Sequence, residues 1–217
     1  MFSEADAYRD RKERRGLKSR DWLARLYWAS RASVTKDRLE TGLKDQHIEV
    51  RVAWILRNDW DHTREYVDRG LKDPNSAVVL AWMSREDFPP TQEQINSGIF
   101  DGRSNVRLAW AQRMDFTPTH EQSERGVFDL HHDVRIAWSR RMDWTPTPEQ
   151  ARRMLKSNRA DVCCAWLDRM DWKHSTEQEM DGLADPNDMI RSAWMRRLSR
   201  ITEAGLDSDP DTHYHGI

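Results

Sequence analysis

Four residue types in this chain could do chemistry, and two of them recur in patterns that call for a physical reason. Trp54, Trp82, Trp110, Trp138, Trp166 and Trp194 each follow an alanine and stand 28 residues apart; an exposed ladder of this kind would stack planar rings. Arg57, Arg85, Arg113, Arg141, Arg169 and Arg197 follow each Trp by three, and a track of guanidinium groups suits bidentate phosphate contact. Histidines are scattered, and only His131-His132 and His213-x-His215 cluster. Neither pair has a carboxylate spaced with it on one helix face, so no metal is expected. Cys163 and Cys164 are the only cysteines and are adjacent, which excludes a disulfide framework and a zinc or iron–sulfur ligand set. They stand where another unit has Arg107-Leu108, inside a helix, and inert packing is expected of them. No glycine-rich phosphate loop, nucleophile elbow or Ser-His-Asp order occurs. The expectation is no catalytic residue and no cofactor.

The elements that carry these residues repeat without an insertion. Asp59, Asp87, Asp115, Asp143 and Asp171 follow each Arg by two, and an aromatic comes next: Trp60, Phe88, Phe116, Trp144, Trp172. Thr91, Thr119, Thr147 and Ser175 stand three before Gln94, Gln122, Gln150 and Gln178, the spacing of a capping box that starts a helix. Gly42, Gly70, Gly98, Gly126 and Gly182 form a further column, broken by Met154, and are expected to end that helix as left-handed C-caps. The Ala-Trp segment reads as the first helix of each unit, near Val50 to Asp59, apolar on two sides as an inner helix flanked on both would be; the capping-box segment reads as the second. A unit of 28 residues cannot bury enough apolar surface to offset the entropy of ordering it, so units must share faces.

Periodicity also weighs the candidate sites. Each Trp shares a stripe with Val50 and Ala53 or their equivalents, which places the ladder in the core. Each Arg lies one turn after a Trp, near a helix end and in step with the Asp column, so cation–π contact, ion pairing and carbonyl capping explain it. A column constant in every unit serves stacking; a column that varies is idle surface or meets a partner. The varying columns are Leu56, Ser84, Gln112, Arg140, Asp168, Arg196 and Asn58, Glu86, Met114, Met142, Met170, Leu198. Met114, Met142 and Met170, beside Arg107, Arg135, Gln112 and Arg140, are the candidate partner-binding residues, because methionine suits irregular binding surfaces. The competing role for these methionines is packing under the next unit.

The chain has 217 residues, 33% charged, with 35 Lys+Arg against 37 Asp+Glu and a net charge of −2. That balance disfavours wholesale coating of nucleic acid. No apolar run approaches a membrane span, and the opening MFSEADAYRDRKERR has no apolar signal core, so a cytoplasmic protein with no membrane contact is expected. Residues 1–20 read as a basic N-terminal segment, 21–200 as the repeat array and 201–217 as an acidic disordered tail. Units are expected near 21–45, 46–73, 74–101, 102–129, 130–157, 158–185 and 186–200, the first degenerate because Trp28 is displaced from the Ala-Trp column.

The junctions Asp45-x4-Val50-Arg51, Asp101-x4-Val106-Arg107, Asp129-x4-Val134-Arg135 and Asp185-x4-Ile190-Arg191 resemble the Asp…Val-Arg signature of HEAT-like repeats. The helix start Thr145 to Gln150 is similar to that of leucine-rich-variant repeats. Val79 and Cys163 replace the Arg and Ser157 the Asp. The resemblance implies that these Asp and Arg residues bridge neighbouring units as a ladder. The expected fold is all-α, a right-handed α-solenoid of six to seven two-helix repeats. The expected role is a non-catalytic protein-binding scaffold: an adaptor, inhibitor or immunity-type protein that grips a protein partner along a curved surface. One alternative is a HEAT-like nucleic-acid binder using the arginine columns. Another is an enzyme like the HEAT-like DNA glycosylases, disfavoured because Trp-x-x-Arg-x-Asp recurs rather than marking one active site.

Overall fold

The computed structural model describes residues 3–85 and 87–205. Among them lie 14 α-helices and no strand: α1 (Glu4–Leu17), α2 (Trp22–Ala29), α3 (Lys36–Leu43), α4 (Ile48–Ile55), α5 (Arg64–Leu71), α6 (Ser76–Met83), α7 (Gln92–Ile99), α8 (Ser104–Gln112), α9 (His120–Val127), α10 (His132–Arg140), α11 (Pro148–Leu155), α12 (Ala160–Leu167), α13 (Thr176–Leu183) and α14 (Asp188–Glu203). They fall into two compact units that divide between Trp110 and Ala111. In the first, α1 pairs with α2, α3 with α4 and α5 with α6, while α2, α4 and α6 pack in succession. In the second, α9 pairs with α10, α11 with α12 and α13 with α14, while α10, α12 and α14 pack in succession. This is an α-solenoid of helical hairpins.

An eight-residue helix does not persist alone, so its ends must be tied. Thr91, Thr119, Thr147 and Ser175 each accept the amide three residues on, and the glutamine there accepts the cap amide in return. Thr35 and Thr63 cap without the return bond, because Arg38 and Tyr66 occupy the glutamine position. The box also reaches backwards: Gln94 Nε2 donates to Asp68 at 2.5 Å, and Gln150 Nε2 donates to Glu124 at 2.8 Å. The same side chain therefore starts one helix and ties it to the preceding odd-numbered one.

The glycine column does not do what its position suggests. Among the described residues the only positive-φ glycine is Gly205, so the column is helical and not a left-handed cap. Its reason is space. A Cβ on Gly42, Gly70, Gly98, Gly126 or Gly182 would lie 1.8–2.2 Å from the indole of Trp54, Trp82, Trp110, Trp138 or Trp194. Each of these five hairpins closes by seating an indole on bare backbone, and the six ladder tryptophans are 0–2% exposed.

The same contact corrects the reading of the first unit. Gly16 meets Trp28 as the others meet theirs, its Cβ position 1.8 Å from Trp28 Cδ1. Trp28 is in register within its hairpin; the displacement arises because Trp28 and Gly42 are 14 residues apart where Trp54 and Gly70 are 16. The basic segment 1–20 is mostly α1, the first helix of the array, which makes seven hairpins. At the other end α14 continues to Glu203, past the boundary expected at 200. The rest of the expected acidic tail, from 206, lies outside the described residues, as do Glu86, His213 and His215.

Met154 breaks the glycine column, and the indole opposite turns to make room. Trp166 lies at 48° to Trp144, where the equivalent pairs Trp60–Trp82 and Trp172–Trp194 stand at 87° and 78°.

Candidate binding surface

The residues best able to do chemistry are held inside the stack. Arg169 is 1% exposed. Its guanidinium donates to the carbonyls of Ser139 (3.3 Å), Arg141 and Trp144 (2.9 Å), and forks onto Asp171 at 2.9 and 2.5 Å. It also lies over the ring of Trp144 at 4.5 Å. Arg141 takes the carbonyls of Ala111 and Phe116, Arg197 those of Leu167 and Trp172, and Arg85 that of Ile55. These are the carbonyls that the last turn of a helix leaves without an internal partner, or lie just beyond it. The column thus caps the preceding even-numbered helix. The Arg57, Arg85 and Arg113 forks hold Asp59, Asp87 and Asp115 below the usual carboxylate range. Arg197 has Ser199 where its siblings have Asp. Burial, with Arg200 nearby, lowers its guanidinium to about 10.

Two rungs of the ladder implied by the HEAT-like junctions are present in the first unit. Arg25 forks onto Asp45 at 2.6 and 3.0 Å, and Arg51 reaches Asp73 at 3.1 Å. Burial pushes the Asp45 carboxyl up, but Arg25 and the His47 amide more than reverse this and leave it lowered. Val79 breaks the ladder, and Arg103 takes over: it forks onto Asp101 at 2.9 and 2.8 Å and reaches back to the Asp73 carbonyl at 3.0 Å. Cys163, in the same register, directs its thiol at the Met154, Leu155 and Ser157 carbonyls. Burial raises it to about 11, so the thiolate that would make it a nucleophile is suppressed.

The candidate partner-binding residues divide by exposure. Arg107 is 7% exposed and donates to the Asp101 carbonyl; Arg135 is half-buried and donates to the Asp129 and Leu130 carbonyls. Both belong to the junctions between hairpins. Met114 and Met142 are 62% and 57% exposed, Gln112 and Arg140 are exposed, and Met170 is half-buried. These five stand in the second unit. Leu130, Met180, Met189 and Met195 are also open to solvent; Leu130 and Met180 are apolar in their own hairpins alone, whereas Met195 continues a column that is buried at Ile55, Met83, Ala111 and Leu167. Asp168 and Arg196, from the varying columns, are exposed as well.

Three of the six described histidines have structural partners. His47 stacks on Trp22, His62 meets Asp87 at 3.3 Å, and His174 meets Glu179 at 3.2 Å. His131 and His132 lie together with Asp133. No described helix is long and apolar enough to cross a membrane.

No protein-family model and no curated protein matches the chain. Among solved structures, its fold is similar to that of a leucine-rich repeat variant described as having a novel repetitive protein structural motif. The two are 19% identical over 83% of this chain and 68% of that one, with a TM-score of 0.62. The tandem-hairpin architecture built above from Gly–Trp contacts and arginine ladders is thus a known repeat fold.

Proposed function

We propose that this chain is a non-catalytic repeat scaffold that binds a protein partner in the cytoplasm, as an adaptor, inhibitor or immunity-type protein. One observation carries the reading. The columns that are constant along the chain, Trp and Arg above all, are buried and bonded within the stack. The columns that vary place Met114, Met142, Gln112, Arg140, Asp168 and Arg196 at or near the solvent. A repeat array presents such positions side by side, and extended surfaces of this kind suit macromolecular contact. The Arg57 column, which a nucleic-acid reading would need, is engaged with backbone carbonyls and carboxylates, so that reading has fewer free cations than the sequence promised.

Affinity capture from host lysate, with and without nuclease, tests the proposal. A stoichiometric, nuclease-resistant protein that is lost with Met142→Glu supports it. Recovery that vanishes with nuclease, or capture indifferent to every surface substitution, overturns it.

A further inference from the structure

We propose that His131, His132 and Asp133 form a binding site for a divalent transition ion of the zinc class, at the start of α10. The first ground is geometry. Zinc bound by two imidazole nitrogens and a carboxylate oxygen at about 2.0–2.2 Å in a tetrahedral arrangement sets those atoms roughly 3.3 Å apart. Here His132 Nε2 is 3.4 Å from Asp133 Oδ1, and His131 Nδ1 is 3.7 Å from Asp133 Oδ2. One ligand atom from each of the three residues lies within 4.8 Å of the others. The imidazoles are stacked, 5.1 Å between centroids and 15° between planes, so one ring must turn out of the stack for the in-plane lone pairs of both nitrogens to meet on one ion.

The second ground is comparison along the chain. His131 occupies the N-cap register also held by His47, Asn75, Arg103, Arg159 and Asn187; His47 likewise makes no capping bond but stacks on Trp22. Both asparagines accept an amide two residues on at 2.9 Å, and both arginines fork onto the aspartate two residues away. His131 makes no capping bond, and its Nδ1 is shielded from water without a hydrogen-bond partner. A ring nitrogen in that state is a ligand in need of a proton donor or a metal. The positive end of the helix dipole opposes a cation here, and the carboxylate oxygen of Asp133 in the ligand set offsets it. Two nitrogens and one oxygen select Zn²⁺, Ni²⁺ or Cu²⁺ over Mg²⁺ or Ca²⁺. Three protein ligands leave a fourth position for water or another side chain.

The test is titration of the full chain with ZnCl2, and separately MgCl2, by calorimetry, with Co²⁺ absorption as a second readout. The expected result is one equivalent of zinc, no response to magnesium, and visible cobalt bands. His131→Ala, His132→Ala and Asp133→Asn should each weaken zinc binding by at least about 10–100-fold, the loss seen when only a residue that orients a metal ligand is removed. These side chains are partly or fully exposed, so far-UV circular dichroism should stay unchanged. Zinc binding that is absent, or that survives all three substitutions unweakened, overturns the proposal; the latter places the ion elsewhere, with His213 and His215 to be replaced next.

Discussion

A Cβ placed on Gly98 would stand 1.8 Å from the indole nitrogen of Trp110. Two effects then oppose each other in Gly98→Ala. Helix propensity favours alanine by about 1 kcal/mol. The indole is buried and can retreat only by opening the hairpin, and overpacking of a core costs about 1–3 kcal/mol. Gly98→Ala should therefore lower the urea midpoint. Gly102→Ala, where a Cβ would meet nothing within 4 Å, should leave it within about 0.5 kcal/mol. Equal effects at the two positions would remove the space argument for the column.

The arginine column makes a different prediction, because its members satisfy several acceptors at once. Arg169→Ala strands the Trp144 and Ser139 carbonyls and leaves Asp171 unpaired. The expected loss is about 3–5 kcal/mol, the cost of breaking a buried charged network. Arg169→Lys should recover little, since one ammonium cannot fork onto Asp171 and reach the carbonyls behind it. Arg140→Ala, at an exposed position, should stay within about 0.5 kcal/mol. Urea unfolding of the three variants checks this.

Acid should loosen the first unit through Asp45. Its carboxyl is lowered in the fold against an ordinary value of 3.8. A depressed acid contributes its stabilisation fully above the unfolded value and loses it as pH falls through the folded value. Asp45→Asn should thus be less stable than the native chain at pH 7, and the gap should begin to narrow below about pH 4 and close only once the pH is under the lowered folded value. Unfolding curves of both proteins across that range measure it, and a gap that persists in strong acid would mean that charge is not the cause.

How much of this was legible follows from which features repeat. Thr147 and Gln150 announce a capping box because the motif is local and recurs. The Arg25–Asp45 ladder was reachable only through a family resemblance, since its partners come from different hairpins. The purpose of Gly98 was misread, because a C-cap and a seat for an indole demand the same residue and differ only in what packs above it. Trp28 was misplaced for a related reason: counting from Trp to Trp hid the conserved distance from Gly16. The His131, His132 and Asp133 grouping depends on how an N-cap turns three consecutive side chains toward one point, which spacing on a helix wheel does not express.

The final prediction concerns the exposed methionines. Met142 is 57% exposed and Met114 62%, so a charge at either position needs no buried partner and should leave stability within about 0.5 kcal/mol. If a partner packs there, the same charge must be desolvated or repelled, and a central apolar contact removed from an interface costs about 2 kcal/mol or more. Met142→Glu should therefore weaken capture of the protein partner by at least about 30-fold at 1.4 kcal/mol per decade, with the urea midpoint unmoved. Half-buried Met170 should respond differently, because Met170→Glu also places charge against the stack and should lower both. A Met142→Glu protein that unfolds early would show instead that this column packs within the array, and the binding surface would then have to be sought among Asp168, Arg196 and Met195.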